Sequence, residues 1–208
     1  MNAPKQDLSN IGQILYERGW MWGTAGNLSS RTDEGIWITA SGVNKGSLGP
    51  DDFILIDKQG SVLEASKDKK CSAETTLHLA VYQHFPDQQA CLHVHTTTSN
   101  LVCQIPEVNL QQNFPKWLNI PPLEMLKGLG IWNEEPDCSI PIFPNHAHVP
   151  RIATEVSSAL KAGLIQVPGF LIEHHGLTVW GQNINEALNR LECFAYIFKY
   201  IQEAQSMK

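Results

Sequence analysis

Cysteine is scarce in this chain, and no two cysteines form a C-x-x-C pair. The five cysteines are scattered, at Cys71, Cys91, Cys103, Cys138 and Cys193. An odd and scattered set does not build the disulfide framework of a small secreted domain, and it lacks the paired cysteines of a zinc finger. We therefore expect a protein of the reducing cytoplasm.

Long apolar runs are absent as well. No stretch of the sequence approaches the roughly 18–20 apolar residues that a membrane-spanning helix needs. The start of the chain, residues 1–7, has neither the basic region nor the apolar region of a secretory signal. These absences predict a soluble intracellular protein with no membrane partner.

Positive charge is in short supply. The chain has 15 Lys and Arg residues against 21 Asp and Glu residues, for a formal net charge of −6. Because nucleic-acid binding needs a concentrated cationic face, we expect no nucleic-acid partner. One small phosphorylated substrate is compatible with this charge, since a few backbone N–H groups can hold a phosphate.

The length of 208 residues suits one domain with a sizeable core. Apolar periodicity and capping residues predict helices over 8–18, 72–85, 150–162 and from Asn183 or Asn185 to 204. Strands are predicted at 36–39, 53–57, 61–64, 91–95, 138–143, 169–172 and 177–180. Short helices are expected at 96–103 and 121–128, whereas 23–30 and 105–120 are predicted to be irregular. The simplest arrangement is one domain over residues 1–208, with strands layered against helices.

Two histidines two residues apart mark the most informative segment. His93 and His95 project from the same face only on a strand, because residues two apart on a helix diverge by about 200°. Cys91, Leu92 and Val94 are apolar and suit a buried strand. Two imidazoles on one face make half of a metal site.

A third histidine, His175, lies between two apolar runs at another predicted strand end. Three His ligands with one open position are the arrangement of a catalytic zinc site rather than a structural one. A cupin-like site would need a carboxylate soon after His95, and a 2-His-1-carboxylate iron site would show H-x-D or H-x-E. The spacing therefore favours a zinc Lewis acid that acts on a phosphorylated carbonyl compound.

Two loops rich in Gly, Ser, Thr and Asn accompany the histidines. They are the segments 23–30 and 39–42, and backbone N–H groups in such loops can face an anion. Neither loop has the G-x-x-x-x-G-K-[ST] or G-x-G-x-x-G pattern, so no nucleotide site is indicated. Glu74 follows Ser72, a candidate N-cap, and a carboxylate there either stabilises the helix dipole or takes part in the chemistry.

Five ordered motifs resemble the class II aldolase and adducin family. They are Gly26-Asn27-Leu28-Ser29, Thr39-Ala40-Ser41-Gly42, Ser72-x-Glu74 with Leu77-His78, His93-x-His95 and His175-Gly176. The resemblance covers nearly the whole chain. It implies an α/β fold, a three-layer α/β/α sandwich with a mainly antiparallel central sheet, and usually a homotetramer with sites at subunit interfaces.

The resemblance also implies two sets of binding residues. One Zn²⁺ per subunit would be bound by His93, His95 and His175. The phosphate of a small ketose substrate would be bound by Gly26, Asn27, Ser41, Gly42 and Ser72.

Within the family, the segments 123–128, 140–145 and 175–181 are most similar to the members that dehydrate 5-methylthioribulose 1-phosphate in methionine salvage. That similarity implies a zinc-dependent dehydratase that forms 5-methylthio-2,3-diketopentyl 1-phosphate and water. Retro-aldol cleavage or 4-epimerisation of a sugar phosphate stays open, because the metal motif is common to all three reactions. A non-catalytic, adducin-like interaction domain is an alternative from another class.

Two glutamates compete for the acid/base role that this chemistry needs. Glu74 matches the catalytic glutamate of the aldolases, and Glu124 matches the acid/base glutamate of the dehydratases. We favour Glu124 for proton transfer to the leaving hydroxyl. Glu74 then serves as a second acid/base or as a helix-start carboxylate.

Four other histidines are not expected to bind the metal. His174 adjoins a ligand, but neighbouring residues of a strand face opposite ways. His146 and His148 repeat the H-x-H spacing within a connection rich in Pro and Asn. His78 is expected to be a surface or core residue of its helix.

Overall fold

A computed structural model describes residues 3–66 and 68–207, and this part of the chain is built of helices and strands. The helices are α1 (Ala3–Glu17), α2 (Thr75–His84), α3 (Thr97–Val102), α4 (Pro106–Asn109), α5 (Val149–Lys161) and α6 (Ile184–Ser206). The strands are β1 (Asn27–Thr32), β2 (Gly35–Thr39), β3 (Phe53–Ile56), β4 (Val62–Glu64), β5 (Ala90–Val94), β6 (Lys116–Asn119), β7 (Ser139–Phe143), β8 (Gly169–Ile172) and β9 (Gly176–Gly181). Three 3₁₀ segments cover Lys45–Ser47, Pro50–Asp52 and Glu124–Leu129.

The nine strands form one sheet in the order β4-β3-β2-β1-β5-β9-β8-β7-β6. Among the pairs of this described sheet, β7 and β8 alone run parallel, and the other neighbours are antiparallel. The expected mainly antiparallel central sheet is confirmed. β5 and β9 lie at its centre, where both faces can be covered.

Alternation along the strands divides the apolar side chains between two cores. On β5, Leu92 and Val94 belong to the core under α1, α3 and α6, whereas Cys91 belongs to the core under α2 and α5. The same division repeats on β2, where Trp37 lies in the first core and Ile38 in the second. Helices therefore cover both faces of the sheet, which confirms the three-layer α/β/α arrangement.

The prediction that 23–30 is irregular was wrong for its second half, because β1 begins at Asn27 and lies in the middle of the sheet. The polar side chains of Asn27 and Ser29 are tolerated in the interior because both are hydrogen-bonded. Ser29 contacts two side chains of α2, and the backbone N–H of Leu28 donates to the Thr39 hydroxyl at 3.0 Å. The polar composition of this segment therefore wrongly indicated an irregular loop.

The prediction that 105–120 is irregular was also wrong, since this stretch contains α4 and the edge strand β6. The Gln111 side chain bonds both backbone groups of Trp117, accepting from N–H and donating to C=O at 2.8 and 2.7 Å. A side chain thus takes the place of a neighbouring strand at this edge. Such support cannot be read from local periodicity.

Within residues 3–66 and 68–207, no helix has both the length and the apolar character needed to cross a membrane. The prediction that residues 1–208 make one domain stays a prediction.

Phe170 offers a test of the core under α2 and α5. It is fully buried on β8, with its ring centroid 5.7 Å from that of Phe143 and 6.3 Å from that of Trp180. Phe170→Ala is expected to lower the free energy of unfolding by about 3–5 kcal/mol, because it leaves a cavity. Urea denaturation measures the change. Leu110→Ala, at a side chain 81% exposed, is the control and should change it by less than about 0.5 kcal/mol; equal losses would contradict the packing described.

Candidate metal centre

A row of three polar residues crosses the centre of the sheet. Asn27 on β1 is paired with His93 on β5, and His93 is paired with Thr178 on β9. Directly opposed residues of neighbouring strands point to the same side, which here is the side covered by α2. All three are buried, in a core that is otherwise mostly apolar.

His95 and His175 join His93 at the ends of the two central strands. His95 follows the last residue of β5, and His175 precedes the first residue of β9. The Nε2 atom of His93 lies 2.9 Å from that of His95 and 3.4 Å from that of His175. The three rings are mutually near perpendicular, at 80–90°, so their nitrogens converge on one point.

Glu74 faces the same point from the start of α2. Its Oε1 lies 2.6 Å from Nε2 of His175, 3.5 Å from that of His93 and 3.7 Å from that of His95. Although Glu74 occupies the N-cap position, its side chain makes no capping hydrogen bond. The carboxylate is therefore directed to the histidines rather than to the helix end.

Burial and charge set the protonation of this cluster. Burial raises the pKa of Glu74, but the interaction with His93 and hydrogen bonds from His175, His93 and His95 outweigh burial and hold the pKa well below its usual value. Burial lowers the pKa of His93 to about 4, against the opposing effect of Glu74. An ionised carboxylate beside a neutral imidazole is the protonation state in which these groups bind metals.

The cluster fits a divalent metal ion. One donor atom from each of Glu74, His93, His95 and His175 lies within 4.8 Å of all the others. Imidazole nitrogens bound tetrahedrally to zinc at 2.0–2.1 Å would be about 3.3 Å apart, close to the separations here. The Thr178 hydroxyl lies 2.8 Å from Nδ1 of His93 and orients that ring, which leaves Nε2 directed at the site.

The residues expected to bind phosphate come together from three segments. Nδ2 of Asn27 lies 3.4 Å from Oγ of Ser72, and Gly26, with φ +81°, turns the chain just before it. A bridge between Ala40 and Cys71 brings the 41–42 turn beside Ser72, and the Ser41 N–H donates to the carbonyl of Lys70 at 2.8 Å. The loops therefore border the histidine cluster through Asn27.

Lys45 was missed by the sequence analysis. It is buried, and its Nζ donates to the carbonyls of Thr24 at 2.8 Å and Val43 at 3.0 Å, so it ties the two Gly-rich loops together. Burial lowers the pKa of Lys45 to about 8, with Glu74 and Asp52 opposing the shift. The available signal was a lysine three residues after the 39–42 loop, and such a lysine is too common to interpret alone.

Glu124 lies outside the cluster of four. Its side chain is 80% exposed and its Oε1 accepts from Nζ of Lys127 at 2.8 Å. Its assignment as acid/base stays a prediction. Of the other histidines, His174 is exposed and His146 contacts Glu155 at 2.9 Å; neither joins a metal-capable group among the described residues.

Sequence comparison shows the family to which this chain belongs. The class II aldolase and adducin N-terminal domain matches residues 6–201. A methylthioribulose-1-phosphate dehydratase of Microcystis aeruginosa is 43% identical over 210 residues, covering 100% of this chain and 99% of that protein. Another of Leptospira biflexa is 42% identical over 200 residues, covering 93% of this chain and 94% of that protein.

Solved structures show the same fold. An L-fuculose 1-phosphate aldolase matches with a TM-score of 0.78 at 23% identity, over 100% of this chain and 88% of that chain. An L-fuculose-1-phosphate aldolase from Thermus thermophilus matches with a TM-score of 0.74 at 22% identity, over 100% of this chain and 98% of that chain. At these identities the similarity concerns the fold alone.

The metal assignment predicts that His95 and His174 behave differently. His95→Ala removes a converging nitrogen and is expected to weaken zinc binding by more than about 100-fold, since loss of an outer partner alone costs about 10–100-fold. Competition with a chromophoric chelator measures the affinity. His174→Ala, next to His175 but exposed, is the control; equal weakening in both variants would contradict the assignment.

Lys45 predicts a pH dependence of stability. Its pKa of about 8 in the fold lies below the ordinary value of 10.5, so the unfolded chain binds more protons between these values and stability rises with pH. From about pH 7.5 to about pH 9.5 the gain is about 2 kcal/mol. Urea unfolding of Lys45→Met should lack this gain, while Lys199→Met, at a side chain 68% exposed, should retain it. A gain unchanged in Lys45→Met would refute the shift.

Proposed function

Because the chain belongs to the class II aldolase and adducin family, we propose that it dehydrates 5-methylthioribulose 1-phosphate to 5-methylthio-2,3-diketopentyl 1-phosphate and water, in methionine salvage. The observation that carries the proposal is the 43% identity, over the full length of both chains, to a protein named for this reaction. The cluster of three imidazoles and a carboxylate supports it, since such a site suits chemistry at a ketone.

Zn²⁺ held by His93, His95 and His175 would supply a Lewis acid for the C2 ketone oxygen. In the overall change the C3 proton is removed, the C4 hydroxyl leaves as water, and the resulting enol tautomerises to the 2,3-diketone. Glu74, an ionised carboxylate beside the histidines, would serve as a second acid/base. Glu124 is assigned as the acid that protonates the leaving hydroxyl.

The phosphate end of the substrate is assigned to the loops. Backbone N–H groups at Gly26 and Gly42 and the polar groups of Asn27, Ser41 and Ser72 would bind it. The buried ammonium of Lys45 lies behind these loops and adds a positive potential that favours an anion. Metal and phosphate subsites would then hold the two ends of one ketose phosphate.

Retro-aldol cleavage is the second candidate, and one observation favours it. Glu74 touches the histidine cluster, whereas Glu124 is 80% exposed in the isolated chain. A reaction that needs Glu74 alone would match this geometry. Product analysis separates the two, since dehydration keeps the carbon skeleton intact and cleavage does not.

We also propose a homotetramer in the cytoplasm. Exposed large apolar side chains support the assembly, because such surfaces mark protein contacts; they include Trp22, Trp132, Tyr196 and Tyr200, which are 64%, 72%, 52% and 43% exposed. All five cysteines are free thiols, as a reducing compartment maintains. Sedimentation equilibrium gives the subunit number.

The test of the acid/base assignment compares three glutamates in the zinc-loaded protein. Glu124→Gln is expected to lower kcat about 10²–10⁴-fold with bound zinc unchanged, because general acid catalysis contributes about that factor. Diketone formation from 5-methylthioribulose 1-phosphate is followed by ultraviolet absorbance. Glu134→Gln, another exposed glutamate near Glu124, is the matched control and should retain kcat.

Glu74→Gln separates the remaining possibilities. Full activity in Glu124→Gln, with activity lost in Glu74→Gln at normal zinc content, would transfer the acid/base role to Glu74. Wild-type protein that cleaves or epimerises another ketose phosphate and leaves 5-methylthioribulose 1-phosphate intact would overturn the dehydratase proposal.

A further inference from the structure

An unbroken line of side-chain hydrogen bonds runs from α2 through β1 to the histidine cluster. The Tyr82 hydroxyl lies 2.7 Å from Oγ of Ser29, and Oγ of Ser29 lies 2.7 Å from Nδ1 of His78. Nε2 of His78 then bonds Oδ1 of Asn27, and Nδ2 of Asn27 bonds Oε2 of Glu74. Tyr82, Ser29, His78 and Asn27 are at most 4% exposed, so water does not substitute for these partners.

The carboxylate end decides where every proton in this line lies. Ionised Glu74 can only accept, so the Asn27 amide must present its NH₂ to it and its carbonyl oxygen to His78. That oxygen can only accept, so Nε2 of His78 must carry the proton. Burial lowers the pKa of His78 to about 3, with His93 adding to the shift, and a neutral ring carries one proton only.

The rest of the line follows from the same reasoning. Nδ1 of His78 has no proton and accepts from the Ser29 hydroxyl, which in turn accepts from the Tyr82 hydroxyl. Ser29, His78 and Asn27 therefore each accept from one neighbour in the line and donate to the next, all in the direction of Glu74. Turning the Asn27 amide over would set an oxygen against the Glu74 carboxylate and an N–H against Nε2–H of His78, and it would break two buried hydrogen bonds.

The orientation of the Asn27 amide also affects a second contact of this side chain. Its Nδ2 also lies 3.4 Å from Oγ of Ser72, on the loop assigned to the substrate phosphate. The same NH₂ group thus lies between the carboxylate of the metal cluster and the phosphate loop. A misoriented amide would disturb both subsites together.

We propose that His78 is a positioning residue whose Nε2–H fixes the Asn27 amide and thereby aligns Glu74 at the metal cluster with Ser72 at the phosphate loop. The hydrogen bonds described for the His78 ring go to Ser29 and Asn27, so His78 acts on the cluster through Asn27. The proposal rests on the proposed function for its phosphate half only, because alignment of Glu74 is a property of the metal site whatever substrate the protein uses.

Two amide substitutions separate the two ring nitrogens. His78→Gln can place an N–H near the position of Nε2 and keep the donor to Asn27, whereas His78→Asn reaches only the position of Nδ1 and loses it. Both bury one amide in the same space, so they are matched for polarity. We expect His78→Asn to weaken zinc binding about 10–100-fold, as loss of an outer-shell partner does, and His78→Gln to stay within about threefold of wild type.

Chelator competition reads the zinc affinity without any substrate, and thermal unfolding checks that the two variants are equally folded. Binding of inorganic phosphate, followed by calorimetry, should weaken in His78→Asn alone. Equal zinc and phosphate affinities in the two variants would overturn the proposal. If the wild-type protein does not turn over 5-methylthioribulose 1-phosphate, the proposed reaction is contradicted. The comparison of zinc affinity between His78→Asn and His78→Gln stays valid in that case.

The position of the proton on the His78 ring tests the proposal directly, because a merely structural role for His78 would not predict it. Long-range ¹H–¹⁵N spectra of the wild-type protein should show His78 with its proton on Nε2. Tyr82→Phe removes only the far end of the line and should leave that tautomer and the zinc affinity unchanged. A proton on Nδ1 would refute the assigned direction of the hydrogen bonds.

Discussion

The close approach of β5 and β9 is the constraint on which the metal centre depends. A Cβ atom on Gly176 would lie 2.1 Å from the carbonyl oxygen of Val94, so a side chain at this position would force the strand ends apart. His95 and His175 leave the sheet at these two ends, and their ring centroids lie 4.6 Å apart. Backbone pairing therefore sets the distance between the imidazoles, and the donors are held in place by rigid elements rather than by long loops.

Polar residues at the centre of a sheet need partners, and α2 supplies most of them. An unpaired buried hydroxyl or amide costs roughly 1–3 kcal/mol, and β1 alone buries Asn27 and Ser29 on the side that faces α2. His78 and Tyr82 meet them from the helix, and Glu74 extends the contacts to the histidines. A fully paired network of this kind specifies one packing of helix on sheet, because a shift of register would leave several groups unpaired at once.

Opposite charges lie at the two ends of the candidate site. Glu74 is the carboxylate among three imidazoles, and Lys45 is a buried ammonium under the Gly-rich loops. The carboxylate raises the pKa of Lys45, as expected for opposite charges, although burial dominates the shift. The site therefore has metal-capable donors at one end and a buried positive charge at the other, with Asn27 between them.

Local pattern was sufficient wherever a single segment decides the outcome. The period of two in His93-x-His95 indicated a strand, the apolar stripes of α5 and α6 indicated helices, and the ordered motifs indicated the family and hence the layered fold. The local pattern did not predict edge strand β6 or the buried polar strand β1, because their stability comes from side chains and strands elsewhere in the fold.

Contacts between segments far apart in the sequence cannot be predicted from local pattern either. Glu74 contacts His175, which is 101 residues away in the sequence, and His78 contacts Asn27, which is 51 residues away. Residue types in order were enough to indicate which side chains can bind a metal or move a proton. Which of them face one another became clear only in the fold, because orientation across a sheet is set by register and packing and not by the order of residues.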